Sequence, residues 1–239
     1  MEKGRERTNR WHLILNVLIN TIRFIVAAVF IFSGFVKAID PMGTVYKLGD
    51  YMEAFSLTAV LPRGLLVIAT MLLCIFEFTV GICLIFAVRR RTTLTAALVF
   101  VALMTPLTFY LALTNPIADC GCFGDAIHLT NWQTFWKNVE LLAMLVPLLI
   151  YNRLLFRLIH ENVQWVISGF AFVSLLIFMW TNLRHLPLYD FRPYRVGTNI
   201  EAAMAVPDDA PQPRFETTFI LSKDGEQREF ALDDYPDST

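Results

Sequence analysis

Cys120 and Cys122 stand two residues apart in the stretch DCGCFGD, residues 119–125, between two strongly apolar runs. Thiols at that spacing can close a disulfide. Residues i and i+2 reach the required Cα separation of about 4.4–6.8 Å with some strain, part of which Gly121 relieves. A strained, exposed disulfide is oxidising and labile, so the pair reads as redox-active, one sulfur attacking or attacked and the other resolving, with Gly124 allowing a further turn. Three alternatives stand beside this reading. Cys120, Cys122 and His128, with Asp119 or Asp125, could ligate a metal, although C-x-C-x5-H is not a strong zinc spacing. The loop could be purely structural, with inert cysteines or a static bridge. Cys74 could pair with one of them, but nine residues of helix put its sulfur about 14 Å down its apolar run, out of reach unless the loop dips inward. Cys83 lies deeper and reads as a buried apolar residue. Asp119 and Asp125 should raise a neighbouring thiol's pKa by like-charge repulsion, which suits a dedicated docked partner better than broad thiol attack.

The chemistry depends on where the loop lies. Of 239 residues, 56% are hydrophobic and 17% charged, with 20 phenylalanines, which is membrane-protein composition. Five runs are long and apolar enough to cross about 30 Å of hydrocarbon: His12–Val36, Leu65–Val88, Leu94–Leu113, Trp132–Asn152 and Val163–Leu183. The first is too long for the apolar part of a cleavable signal and no small-residue cleavage site follows, so it reads as an anchor. Lys3, Arg5, Arg7 and Arg10, then Arg89–Arg91, then Arg153 and Arg157 fall on one side if all five runs cross. By the positive-inside rule that side is cytoplasmic. The chain is therefore expected in a bacterial inner membrane, lipid-embedded, with no nucleic-acid partner, its N-terminus cytoplasmic and its dithiol loop and C-terminus in an oxidising periplasm.

Between the first two runs, Val45, Leu48, Met52 and Phe55 recur at helical spacing, predicting a short helix on the outer surface. Pro106 and Pro147 should kink their helices. TNWQ, Thr130–Gln133, fits a capping box, and Trp132, Trp136 and Lys137 mark the outer interface. Beyond residue 184 the chain turns acidic and proline-rich, and alternation on both sides of Asp224-Gly225 predicts a β-hairpin. A lone hairpin is marginal, so the tail is expected to begin a further domain. Arg23 in the first run and Glu77 in the second each lie 11 residues from the inner end of their run, at about 16 Å depth. They are expected to pair, either to fix helix register or to line a polar pocket for a quinone head group or a proton path.

Arg23, Ser33, Gly34, Lys37, Asp40 and Gly43, in the pattern R-x9-SGFVKAIDPMG, followed by Glu77 and Gly81, resemble the DoxX-like four-helix membrane proteins. The CGCFG element is similar to the redox-associated MauE-type branch. The resemblance covers roughly residues 12–152. It implies an all-α fold with a four-helix bundle over 12–152, to which the cytoplasmic N-terminus of 1–11, a fifth transmembrane helix at 163–183 and a periplasmic tail at 184–239 with a predicted β-hairpin are additions. It also implies electron transfer, since one branch belongs to a thiosulfate:quinone oxidoreductase and the other supports maturation of a disulfide-rich periplasmic enzyme. By residue it assigns Arg23, Lys37 and Glu77 to a polar, quinone-binding site and Cys120 and Cys122 to the redox pair. The partner would be a periplasmic thioredoxin-like or other envelope protein. The alternative is a non-enzymatic scaffold or anchor subunit of an envelope complex.

Overall fold

A computed structural model describes residues 2–55, 62–117, 120–185, 189, 191, 197–205, 218–223 and 226–231. The chain forms two compact units, Met1–Arg195 and Val196–Thr239. The described part of the first is helical: α1 (Glu2–Ile39), α2 (Pro41–Ala54), α3 (Arg63–Phe86), α4 (Arg90–Thr114), α5 (Asn131–Ile150) and α6 (Gln164–Arg184), with short 3-10 turns at Asn152–Leu154 and Glu161–Val163. The second holds α7 (Ile200–Met204) and the antiparallel pair β1 (Thr218–Lys223) and β2 (Glu226–Ala231), in register from Thr218↔Ala231 to Lys223↔Glu226. The Asp224-Gly225 dipeptide lies outside the described residues.

Among the described residues four helices are long and apolar enough to cross a membrane: Trp11–Ile39, Arg63–Phe86, Arg90–Thr114 and Glu161–Arg184. Of the five runs expected to cross, four thus qualify by length and composition. The missing one, α5, opens with Asn131, Gln133, Lys137, Asn138 and Glu140, so its first half is too polar to qualify by composition. It is nevertheless a full partner in the bundle. The Asn131 amide donates to Asn115 Oδ1 at 2.7 Å, at the end of α4, while Arg90 at the start of α4 reaches the Asn152 and Arg153 carbonyls just past α5. The two helices therefore run antiparallel over matched lengths. The capping of α5 is local: Thr130 and Gln133 form the predicted box, with bonds of 3.2 and 3.0 Å.

The main core joins α1, α3, α4 and α5 through residues such as Phe30, Val80, Leu94, Val101, Leu141 and Leu145. α6 covers the outer side of α1 and α3, where Cys74, Ile75, Leu175 and Met179 make a second cluster. Lipid supplies no hydrophobic drive between helices, so small residues that allow close approach decide which faces meet. A Cβ on Gly34 would sit 2.6 Å from the Phe78 amide nitrogen, and one on Gly81 would sit 2.8 Å from that of Ile31. Replacing Gly34 with Ala should thus lower the unfolding temperature of the detergent-purified protein by an amount equivalent to about 1–3 kcal/mol. Gly49→Ala, where a Cβ meets nothing within 4 Å, should be neutral or slightly stabilising; equal effects at both glycines would contradict the close α1–α3 packing.

These contacts also fix a stagger. Gly34 faces Phe78 and Gly81 faces Ile31, so Ser33 lies level with Glu77 while Arg23, ten residues earlier, lies about 15 Å away along the axis, near the end of α3. α1 overshoots α3 at the arginine-rich end. α3 overshoots α1 at the cysteine end, and α2 folds back into that gap, packing against α3.

Candidate functional site

Glu77 pairs with Lys37, not with Arg23. The Lys37 ammonium donates to both carboxylate oxygens at 2.8 and 2.7 Å and to the Ser33 hydroxyl at 3.0 Å, which uses all three of its protons. Lys37 and Glu77 are each 5% exposed, so neither charge would be tolerated there alone. Ser33 lies one helical turn before Lys37. Its oxygen is 2.9 Å from Glu77 Oε2 and 2.8 Å from the carbonyl of Cys122, and its single proton serves one of these acceptors at a time.

Arg23 was expected in this pair because both residues are equally far from the inner ends of their runs. The stagger removes that equality. Arg23 instead donates from Nη1 to the Phe156 carbonyl at 2.8 Å and lies between the rings of Phe24 and Phe156, 4.6 and 4.4 Å from their centroids. With Asn20, which bonds Leu154 and Phe156, it clamps the loop after α5 onto α1.

The cysteine loop dips into the bundle. Gly121 and Gly124 adopt φ of +64° and +52°, a left-handed conformation in which other residues are strained, and the Gly124 amide closes the turn onto the Gly121 carbonyl at 3.0 Å. Phe123 anchors it, edge-on to Phe32 with centroids 5.4 Å apart and beneath the Lys137 ammonium at 4.7 Å. Tyr51 of α2 donates to the Cys120 carbonyl at 3.0 Å. Both cysteines are free and partly buried, their sulfurs 3.0 Å apart.

That proximity separates the two thiols. The hydrogen bond from Cys120, aided by the ammonium groups of Lys137 and Lys37 and opposed by burial and by Glu77, pulls Cys122 down to about 6. Cys120, as the donor and a buried neighbour of that thiolate, is pushed far up and stays protonated. The flanking acids were expected to raise the thiol pKa. Asp125 instead lines a separate small cleft with Asp40, Gly43 and Lys47, Asp119 lies outside the described residues, and the largest influence on Cys122 is the hydrogen bond from Cys120, with Lys137 and Lys37 adding to it. Nor do the described residues gather the alternative ligand set, for no three His, Cys, Asp or Glu groups among them converge. Cys74 is fully buried on the α6 side, and Cys83 is buried with its sulfur 3.5 Å from the Ser168 hydroxyl.

Behind the dithiol lies a cavity of about 330 Å³, walled mainly by apolar side chains of α1–α5. Lys37, Glu77, Cys120 and Cys122 all line it, as does the buried pair of Asn138 and Thr108, joined at 3.1 Å. α2 is the helix that its spacing predicted, yet Leu48, Met52 and Phe55 line this cavity and Val45 is buried. The apolar face closes a site instead of resting only on lipid. Ser33, Tyr51, Lys137 and Asn138 were not legible as site residues. Ser33 and Lys37 sharing one face of α1 was the one available signal.

A family model described as methylamine utilisation protein MauE matches residues 15–151, the whole bundle with its cysteine loop. A second, for a domain of unknown function (DUF8463), matches residues 215–239. No curated protein and no solved structure matches the chain.

Proposed function

The chain belongs to the MauE family of membrane proteins, and from that premise we propose that it is a thiol–disulfide redox protein of a bacterial inner membrane, oxidising a periplasmic partner through Cys120 and Cys122. The observation that supports this most strongly is the division of labour within the pair: one thiol donating to a thiolate that two lysines stabilise. A stabilised thiolate stabilises the reduced form, and a dithiol whose reduced form is favoured is an oxidant.

In the reaction, a partner thiolate attacks Cys122 of the disulfide and Cys120 leaves, taking up a proton. The partner's second thiolate then attacks its own first sulfur and releases Cys122 as the thiolate held by Cys120, Lys137 and Lys37. The partner loses two electrons and two protons; one proton remains on Cys120 and the other passes to water. A membrane quinone, a lipid-soluble acceptor of two electrons and two protons, is the class of oxidant that would restore the disulfide. The apolar cavity next to the dithiol suits such a ring. Arg23, about 15 Å along the helix, takes no part. The partner fits a thioredoxin-like or other envelope protein, and the family's name suggests a role in methylamine utilisation. The basic clusters Arg89–Arg91, Arg153 and Arg157 lie opposite the dithiol, which supports a cytoplasmic N-terminus, with α5 crossing beside α4 and the 184–239 tail outside.

Cells carrying Cys120→Ser should accumulate a reducible adduct between Cys122 and the partner, because the Cys122 thiolate still attacks the oxidised partner's disulfide in the reverse direction and no Cys120 thiol remains to release it; Cys120→Ser/Cys122→Ser should show none. A scaffold with inert cysteines predicts no adduct and full function in the double variant, and that pair of results would sink the redox reading.

A further inference from the structure

At the arginine-rich end of the bundle two guanidinium groups are held without neutralisation. Arg23 is fully enclosed, and beyond its bond to Phe156 its Nε and Nη2 atoms have no partner. Arg90, at the start of α4, places Nη1 3.4 and 3.3 Å from the Asn152 and Arg153 carbonyls, while its Nε is buried and also without a partner. Arg23 feels the charge of Arg90, and Arg90 that of Arg157. Among the described residues the acid at this end, Glu161, is paired with Arg157. Two neighbouring guanidinium groups with idle, desolvated donors, Arg23 and Arg90, are costly unless an anion completes them.

The donors are of one kind. A guanidinium presents a rigid fork that matches two oxygens of a phosphate. The first turn of α4 adds to it, since Arg89 caps the helix in the left-handed conformation with no side-chain bond, leaving N–H groups and the positive end of the helix dipole for an anion. Phe24 and Phe156, which sandwich the Arg23 guanidinium, are 38% and 46% exposed. They offer apolar surface to a membrane directly beside the cationic cluster.

We propose that this end of the bundle binds a phosphate group between Arg23, Arg90 and the first turn of α4, with an anionic phospholipid head group as its source. Basic pockets between membrane helices hold such head groups, and the adjoining rings would lie along the acyl chains. The proposal is independent of the redox reading.

The full chain in non-ionic detergent should unfold about 3–6 °C higher with phosphatidylglycerol at tenfold its dissociation constant. Arg90→Gln should abolish most of that rise while leaving the lipid-free unfolding temperature nearly unchanged. Arg23→Lys, which keeps the charge but loses the fork, should reduce it. An equal rise with inorganic phosphate alone, also lost in Arg90→Gln, would support the phosphate site and assign it to a free ion. An equal rise with uncharged diacylglycerol, one that persists in Arg90→Gln, or no rise at all would overturn the proposal.

Discussion

Reduced protein alkylated with iodoacetamide across a pH series will show Cys122 reacting with a midpoint near pH 6, well below the usual thiol range near 8.5. The sign follows from the cause. A depressed pKa means that the thiolate is fully present above about pH 7 and is lost as pH falls through about 6. The gain in rate at neutral pH is small. Thiolate content at pH 7 rises about 30-fold, but intrinsic nucleophilicity falls with pKa, leaving roughly a twofold advantage. At pH 5.5 the advantage grows to about 20-fold, so the acid limb decides the matter. Cys120→Ala, which removes the largest stabilising contribution, should move the midpoint up the most; Lys137→Met should move it up by less. Cys120 itself should resist alkylation through neutral pH, as its proton is held by the thiolate. A Cys122 midpoint at 8 to 9, indifferent to Cys120→Ala, would remove the basis for an oxidising dithiol.

Breaking the Lys37–Glu77 pair will have the largest effect on stability. Both groups are enclosed and 2.7 Å apart, so Lys37→Met leaves a carboxylate, and Glu77→Leu an ammonium, without its counter-charge. Each single variant should lose about 3–5 kcal/mol, a large part of the 5–15 kcal/mol that a domain commonly has. Low yields and early thermal unfolding in detergent are the expected signs. Lys37→Met/Glu77→Leu removes both charges together and should recover most of the loss, giving a strongly non-additive cycle. In the recovered protein the Cys122 midpoint should move little, because Lys37 lowers that pKa, Glu77 raises it, and both are removed. A double variant as unstable as the sum of the singles would mean that the two residues are not energetically coupled.

The membrane unit was readable from composition and period alone. Every run of about 20 apolar residues became a helix, because hydrocarbon leaves the backbone no other partner, and the Thr130–Gln133 box starts α5 because the bonds involved are local. α5 marks the limit of counting residues: its polar first half disqualifies it by composition, yet Asn131 and Asn138 bond to α4. The sequence by itself singled out Cys120, Cys122, Arg23 and Glu77 as candidate groups, since intramembrane charges and a loop dithiol are rare enough to stand out, and Lys37 entered only through the family resemblance. Only the tertiary structure decided how they combine. Partner choice depends on helix stagger, and the stagger is set by the close approach of Gly34 and Gly81 to the facing backbone, not by distance from a helix end. Part of the electrostatics at Cys122 likewise comes from residues distant in sequence. Beside the hydrogen bond from its neighbour Cys120, Lys37 and Lys137 act on it because α1 and α5 bring them there, and an electrostatic effect depends on distance through space, which local spacing could not convey.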